Sequence, residues 1–165
     1  MERIKIRPLT MADVKFFAAI VSNPHVTDML GMHAVEDVKA ARQILKMELA
    51  TGIGIAVVVN GEMVGCCFLY PQIGATGFPD QANREIGLMM NYDYQGRGIM
   101  GTALKMILAE VSRQHNLKTI TANVKSSNII SLHLLKRNNF KINGVFNDFL
   151  GQKIIQLKTK FVNES

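Results

Sequence analysis

The residues with the clearest chemical potential stand together at Gln95-Gly96-Arg97-Gly98-Ile99-Met100-Gly101. A strand-like run precedes them and an apolar-periodic run follows, so the glycines mark a turn that passes straight into a helix. At such a start the first backbone N–H groups have no intrahelical acceptor and converge on one spot. With no side chains at Gly96 and Gly98 an anion can come close to the backbone, and the helix dipole favours negative charge there. Phosphate fits this description, with Gln95 and Arg97 able to add side-chain contacts.

Gly96-x-Gly98-x-x-Gly101 literally fits the dinucleotide-binding pattern, which also needs an acidic residue about 20 positions on to hold a ribose. After Gly101 the only acids are Glu110, Asp148 and Glu164, and none lies there. The nucleoside-triphosphate loop is excluded as well, because no Gly-Lys-Ser/Thr follows the turn. A different phosphate carrier is implied. Charge agrees: from Arg97 onward 11 Lys/Arg face three acids, a net +8, whereas residues 1 to 96 carry −2. That asymmetry suits a multiply phosphorylated cofactor or a nucleic acid. The aromatic interleaving of single-strand binders and a recognition-helix motif are both missing, so no nucleic-acid partner is expected.

Cys66 and Cys67 are adjacent in a strand-like run, which suits neither an ordinary disulfide nor a zinc pair, and they read as small buried hydrophobes. His25, His33, His115 and His133 form no ligand pattern, and no metal is expected. Met1 to Pro8 lacks the apolar stretch of a secretory signal, so a cytoplasmic location is expected. The most apolar region, 53 to 70, is broken by Asn60-Gly61-Glu62, and no membrane span is expected.

The 165 residues, with 48% apolar content and no linker or repeat, describe one domain, 1–165. Ile4 and Ile6 suggest an opening strand that stops at Pro8. Thr10 can cap a helix through Val14, Phe17 and Ile20 to Val21, and a second helix is expected from Glu36 to Leu49 with Val38, Ala41, Leu45 and Leu49 on one face. Ile53 to Val59 and Met63 to Tyr70 form a hairpin about a type I′ turn at Asn60-Gly61. Pro71 to Arg84, rich in Gly, Pro, Asp and Asn, reads as a long loop. A buried strand over Glu85 to Met90 leads through the glycine turn into a helix over Gly98 to Gln114. A strand at Lys118 to Val124, a helix capped by Ser126 or Ser127 and ending near Asn138-Asn139, and strands Phe140 to Phe146 and Lys153 to Lys160 close the chain. The order β-α-α-β-β-β-α-β-α-β-β predicts a mixed α/β domain with helices on a central sheet.

The run from Tyr94 to Leu104 strongly resembles motif A of the GCN5-related N-acetyltransferase (GNAT) superfamily, Gln/Arg-x-x-Gly-x-Gly/Ala at a helix start. The strand Glu85 to Met90 before it, and Asn128-x-x-Ser131 and Asn138-Asn139-Phe140 after it, extend the likeness over nearly the whole chain. The branch it looks most like is that of the ribosomal-protein alanine acetyltransferases, which tolerates Met at position 100; Asn139 replaces the common Gly before Phe140. The resemblance implies a mixed, mostly antiparallel sheet flanked by about four helices. It implies acetyl transfer from acetyl-CoA directly to a primary amine, a small molecule or a peptide N-terminus. A CoA-binding protein of the same fold without catalysis is the alternative. Dimers are common in the family, and no sequence feature here decides for or against one.

By the same resemblance Gln95, Gly96, Arg97, Gly98, Ile99, Met100 and Gly101 hold the pyrophosphate. The backbone of Leu88, Met89 and Met90 pairs with the pantetheine arm between the fourth and fifth strands, and Asn128 hydrogen-bonds that arm. Glu85, at the start of the matching strand, is the expected general base. Asn128, Ser131 and Leu135 share a helix face. Leu135 stands where many members carry a tyrosine acid, which leaves Ser131 as the candidate donor to the leaving thiolate. His133 lies well around the helix from that face.

Overall fold

The computed structural model describes residues 2–162. Its strands are β1 (Ile4–Pro8), β2 (Ile53–Val59), β3 (Glu62–Ile73), β4 (Pro79–Met90), β5 (Thr119–Lys125), β6 (Lys141–Asn147) and β7 (Lys153–Lys160). They lie in one sheet in the order β1-β2-β3-β4-β5-β7-β6. The β4–β5 pair is parallel and the registered β1–β2, β2–β3, β5–β7 and β6–β7 pairs are antiparallel. The helices are α1 (Val14–Val21), α2 (Pro24–Leu30), α3 (Val38–Thr51), α4 (Ile99–Gln114) and α5 (Ile129–Arg137), five among the described residues where about four were expected. The mixed, largely antiparallel α/β architecture is the one expected.

Two compact units make up the chain, Met1–Leu69 with Gly87–Ile107, and Tyr70–Ile86 with Leu108–Ser165. In the first, Phe17, Ile20, Ala41 and Leu45 are fully buried, and Phe17 meets Phe68 edge-on with ring centroids 6.3 Å apart. Val38, expected on the buried face of α3, is 45% exposed; it is the first residue of the helix, after Asp37, which caps it and accepts the Ala40 N–H at 2.7 Å. The hairpin turn is as expected, with Asn60 at φ 51° and Gly61 at φ 88°. Cys66 and Cys67 are free and buried, and burial pushes both thiols well above their ordinary range.

The helix α2 was not anticipated, although its signals are present. Asn23 accepts the His25 N–H at 3.0 Å, Pro24 occupies the first turn, and Gly31 ends the helix at φ 69°. Seven residues are too few for apolar periodicity to emerge.

The second unit corrects the Pro71–Arg84 loop. β3 continues to Ile73 and β4 begins at Pro79, leaving a tight connection in which Gly74 N–H donates to the Phe78 carbonyl at 2.9 Å. The stretch looked like a loop because its side chains are polar. They are used within the sheet: Asp80 accepts from Ala82 N–H and Asn83 Nδ2, and Thr119 donates to Asn83. The cap of α5 is also corrected. It is Asn128, whose Oδ1 accepts the Ser131 N–H at 3.2 Å, and not Ser126 or Ser127. At the other end Asn139 takes φ 66°, the left-handed geometry expected of Asn at that position.

Candidate active site

The glycine turn is built by a run of short-range bonds after β4. Asn91 Oδ1 accepts the Asp93 N–H at 3.0 Å, Tyr94 N–H donates to the Asn91 carbonyl at 3.0 Å, and Gln95 N–H to that of Tyr92 at 3.2 Å. Gly96 and Gly98 then take φ 76° and 74°, and a Cβ placed on either would meet nothing within 4 Å. Glycine is therefore required by the backbone angle and not by crowding. Ile99, 1% exposed, fastens the first turn of α4 to the core, and Thr102 is the first residue there to reach a carbonyl, that of Gly98, at 3.2 Å. Among the described residues the N–H groups of Gly96 to Gly101 meet no protein acceptor. The result is a row of donors at the positive end of a helix dipole, suited to a phosphate group.

The two side chains flanking that row are already engaged. Gln95 Nε2 reaches back to the Met90 carbonyl at 3.2 Å, which ties the turn to the end of β4. Arg97 lies 4.9 Å over the Tyr94 ring, donates to the Asp93 carbonyl at 2.8 Å and pairs with Glu2 at 3.1 Å. Met89 and Met90 are buried and Leu88 half-buried, so what these residues can offer a ligand is mainly backbone.

In the second unit Glu85 lies in parallel register with Thr121, and its Oε1 accepts Asn123 Nδ2 at 3.1 Å. It makes no ion pair among the described residues. Neighbouring Arg84, on the alternate face, is buried and donates to the carbonyl and side-chain oxygens of Gln81. The carboxylate is half-buried and held by a neutral donor.

On α5, Asn128 and Ser131 are half-buried, Leu135 is 1% exposed and His133 is exposed. Only the backbone N–H of Ser131 is used by the cap, and its hydroxyl makes no bond back to the preceding turn among the described residues. Leu135 belongs to the core.

The family described as "Acetyltransferase (GNAT) domain" matches residues 3–141. This chain belongs to the GNAT acetyltransferase family. It is 26% identical over 159 residues to the uncharacterized N-acetyltransferase p20 of Bacillus licheniformis, covering 90% of this chain and 84% of that protein. The fold is shared with an acetyltransferase from Salmonella typhimurium that modifies the N-terminal serine of ribosomal protein L7/L12, at TM-score 0.81 and 14% identity over 96% and 95% of the two chains. It is shared also with spermidine N-acetyltransferase from Vibrio cholerae in complex with CoA and spermine, at TM-score 0.79 and 16% identity over 95% of each.

As a GNAT enzyme the chain transfers an acetyl group to an amine. Three features of the acetyltransferase were not legible beforehand. Gly65 lets β3 approach the Met89 backbone, with a Cβ there falling 2.8 Å from the Met89 carbonyl oxygen. His25 stacks on Tyr92 at 4.9 Å, bracing the turn before the donor row. Asn123 holds Glu85. A glycine inside an apolar strand is the signal for the first, while the other two join residues distant in sequence.

Proposed function

We propose that the chain, as one domain over residues 1–165, is an acetyl-CoA-dependent N-acetyltransferase. In this reading Gln95, Gly96, Arg97, Gly98, Ile99, Met100 and Gly101 hold the pyrophosphate, and the backbone of Leu88, Met89 and Met90 and the side chain of Asn128 hold the arm. The observation that carries it is the row of N–H groups from Gly96 to Gly101 with no acceptor among the described residues, at the start of α4. Such a row favours a multiply charged anion and supplies no specificity of its own for the acceptor.

Glu85 is the general base and Ser131 the donor to the departing sulfur. The acceptor nitrogen forms its bond to the thioester carbon as the C–S bond breaks. The proton released from nitrogen passes to Glu85 and from there to water, and the thiolate takes a proton from water, directly or relayed through the Ser131 hydroxyl, which regains its own from the same water. A thiol pKa of about 8.5 lets the sulfur leave with little assistance, which is consistent with a core leucine at position 135. The acceptor is a primary amine on a small molecule or a peptide N-terminus.

Turnover of acetyl-CoA against amines, followed as released thiol, tests the base. Glu85→Gln is expected to cut turnover heavily at pH below the amine's own pKa and little above it, where the amine sheds its proton unaided. A loss that is uniform across pH, or absent, removes Glu85 from the role.

A further inference from the structure

Glu85 stands at the end of a line of amides that crosses the sheet of the second unit. Asn143 Nδ2 donates to Gln156 Oε1 at 2.7 Å, Gln156 Nε2 to Asn123 Oδ1 at 3.1 Å, and Asn123 Nδ2 to Glu85 Oε1 at 3.1 Å. The four residues come from β6, β7, β5 and β4, four neighbouring strands. Register puts them in line: Asn123 is opposite Gln156, and Glu85 is opposite Thr121, two residues before Asn123 and so on the same face. Asn143 joins because β6 shifts register between Ile142 and Gly144, leaving it out of the ladder and beside Gln156.

All three amides donate in the same direction, toward the carboxylate. An amide that gives its N–H to one neighbour and accepts at its oxygen from the next is polarised by both, so the last donor in such a chain is strengthened. One oxygen of Glu85 is thereby fixed and the carboxyl plane oriented. The other oxygen is left to receive a proton from an approaching amine. Asn123 is exposed and bears no packing load, so fold stability gives little reason for an asparagine there. Thr121, the nearest residue on the same strand face, is occupied separately by Gln72 Nε2 at 2.6 Å.

We infer that Asn123 is a positioning residue for the base of this acetyltransferase, itself aligned by Gln156 and Asn143. The inference rests on the reading of Glu85 as that base. Without the amide the carboxylate rotates among its rotamers, and the fraction of encounters in which it meets the amine proton falls. Binding of acetyl-CoA is untouched.

Steady-state kinetics of Asn123→Ala, Gln156→Ala and Glu85→Gln, and of Asn123→Ala combined with Glu85→Gln, test this. Asn123→Ala is expected to lower kcat about five- to tenfold with KM for acetyl-CoA unchanged, the scale of one partly exposed charge-assisted bond. Gln156→Ala should lower kcat in the same sense by a smaller factor, since it leaves the last bond in place. In the Glu85→Gln background, assayed above the amine's pKa where turnover persists, removing Asn123 should cost nothing more. An equal further loss there makes Asn123 a structural residue and overturns the inference. So does an unchanged kcat in Asn123→Ala while Glu85→Gln loses turnover below the amine's pKa, an outcome that leaves the base standing. If Glu85→Gln keeps full turnover at every pH, base and positioning residue fall together.

Discussion

Gly65 of β3 lies so close to Met89 of β4 that a methyl group on it would sit 2.8 Å from the Met89 carbonyl oxygen and 3.2 Å from the Met90 terminal methyl. The contact with the carbonyl is backbone and cannot be relieved by rotating a side chain. Gly65→Ala is therefore expected to push β3 and the end of β4 apart at a cost of about 1–3 kcal/mol, the usual scale of overpacking. Thermal unfolding reads this directly. Because Met89 and Met90 are proposed to offer their backbone to acetyl-CoA, the variant should also bind the cosubstrate more weakly at temperatures where it is fully folded.

Gly98 presents the opposite case, since a methyl group there meets nothing within 4 Å and the only penalty is its φ of 74°. Gly98→Ala should cost about 1 kcal/mol from the left-handed backbone, or else relax the turn and turn the N–H groups away. Because the added methyl also stands where an anion would approach the backbone, acetyl-CoA affinity by calorimetry is expected to fall at least several-fold, with the melting temperature lowered by only about 2–4 °C. An affinity equal to that of the parent chain would argue against the donor row as the pyrophosphate site.

Ser131 contributes its backbone, not its hydroxyl, to the cap of α5. Ser131→Ala should accordingly leave stability within about 0.5 kcal/mol of the parent while lowering kcat if the hydroxyl protonates the thiolate. The loss should shrink with a cosubstrate analogue whose leaving thiol is more acidic, because such a sulfur needs less help. Thiol-release kinetics with the two donors make the comparison.

The ion pair between Arg7 and Asp13 gives the stability of the first unit an acid limb. Asp13, its side chain 5% exposed, accepts both Arg7 guanidinium nitrogens at 2.7 and 2.8 Å and the Thr10 N–H at 3.0 Å. The Arg7 hydrogen bond is the chief cause that holds its carboxyl below the usual carboxylate range. The contribution is therefore fully present above the unfolded value of about 3.9 and is lost as pH falls through the lower folded value. Asp13→Asn should remove about 1–2 kcal/mol at neutral pH, less than a buried pair would cost because Arg7 is partly exposed. It should also flatten the decline of stability below about pH 4 in denaturant titrations.

Helices and strands were legible wherever a pattern was long or a turn specific. The Asn60-Gly61 hairpin and α4 followed from local signals alone, and the strands at either end came within a residue of where they lie. The segment from Pro79 to Arg84 resembles a loop by its polarity, whereas Asp80, Asn83 and Thr119 satisfy one another inside the sheet. Asn128 was read for its family role and not as a cap. A helix start among Ser126, Ser127 and Asn128 cannot be assigned from residue type when all three favour the position.

What the sequence determined by itself is the geometry of the glycine turn, since Gly96 and Gly98 need only their own backbone angles and the helix that follows. Such a turn is local, and a seven-residue run encodes it. The surroundings of Glu85 were decided by tertiary structure. Asn123 and Gln156 lie 38 and 71 positions away along the chain, and only the parallel register of β4 with β5 and the antiparallel register of β5 with β7 bring their amides into line. No local preference of an asparagine or a glutamine carries that information, because hydrogen-bond partners across a sheet are set by which strands pair and in what register.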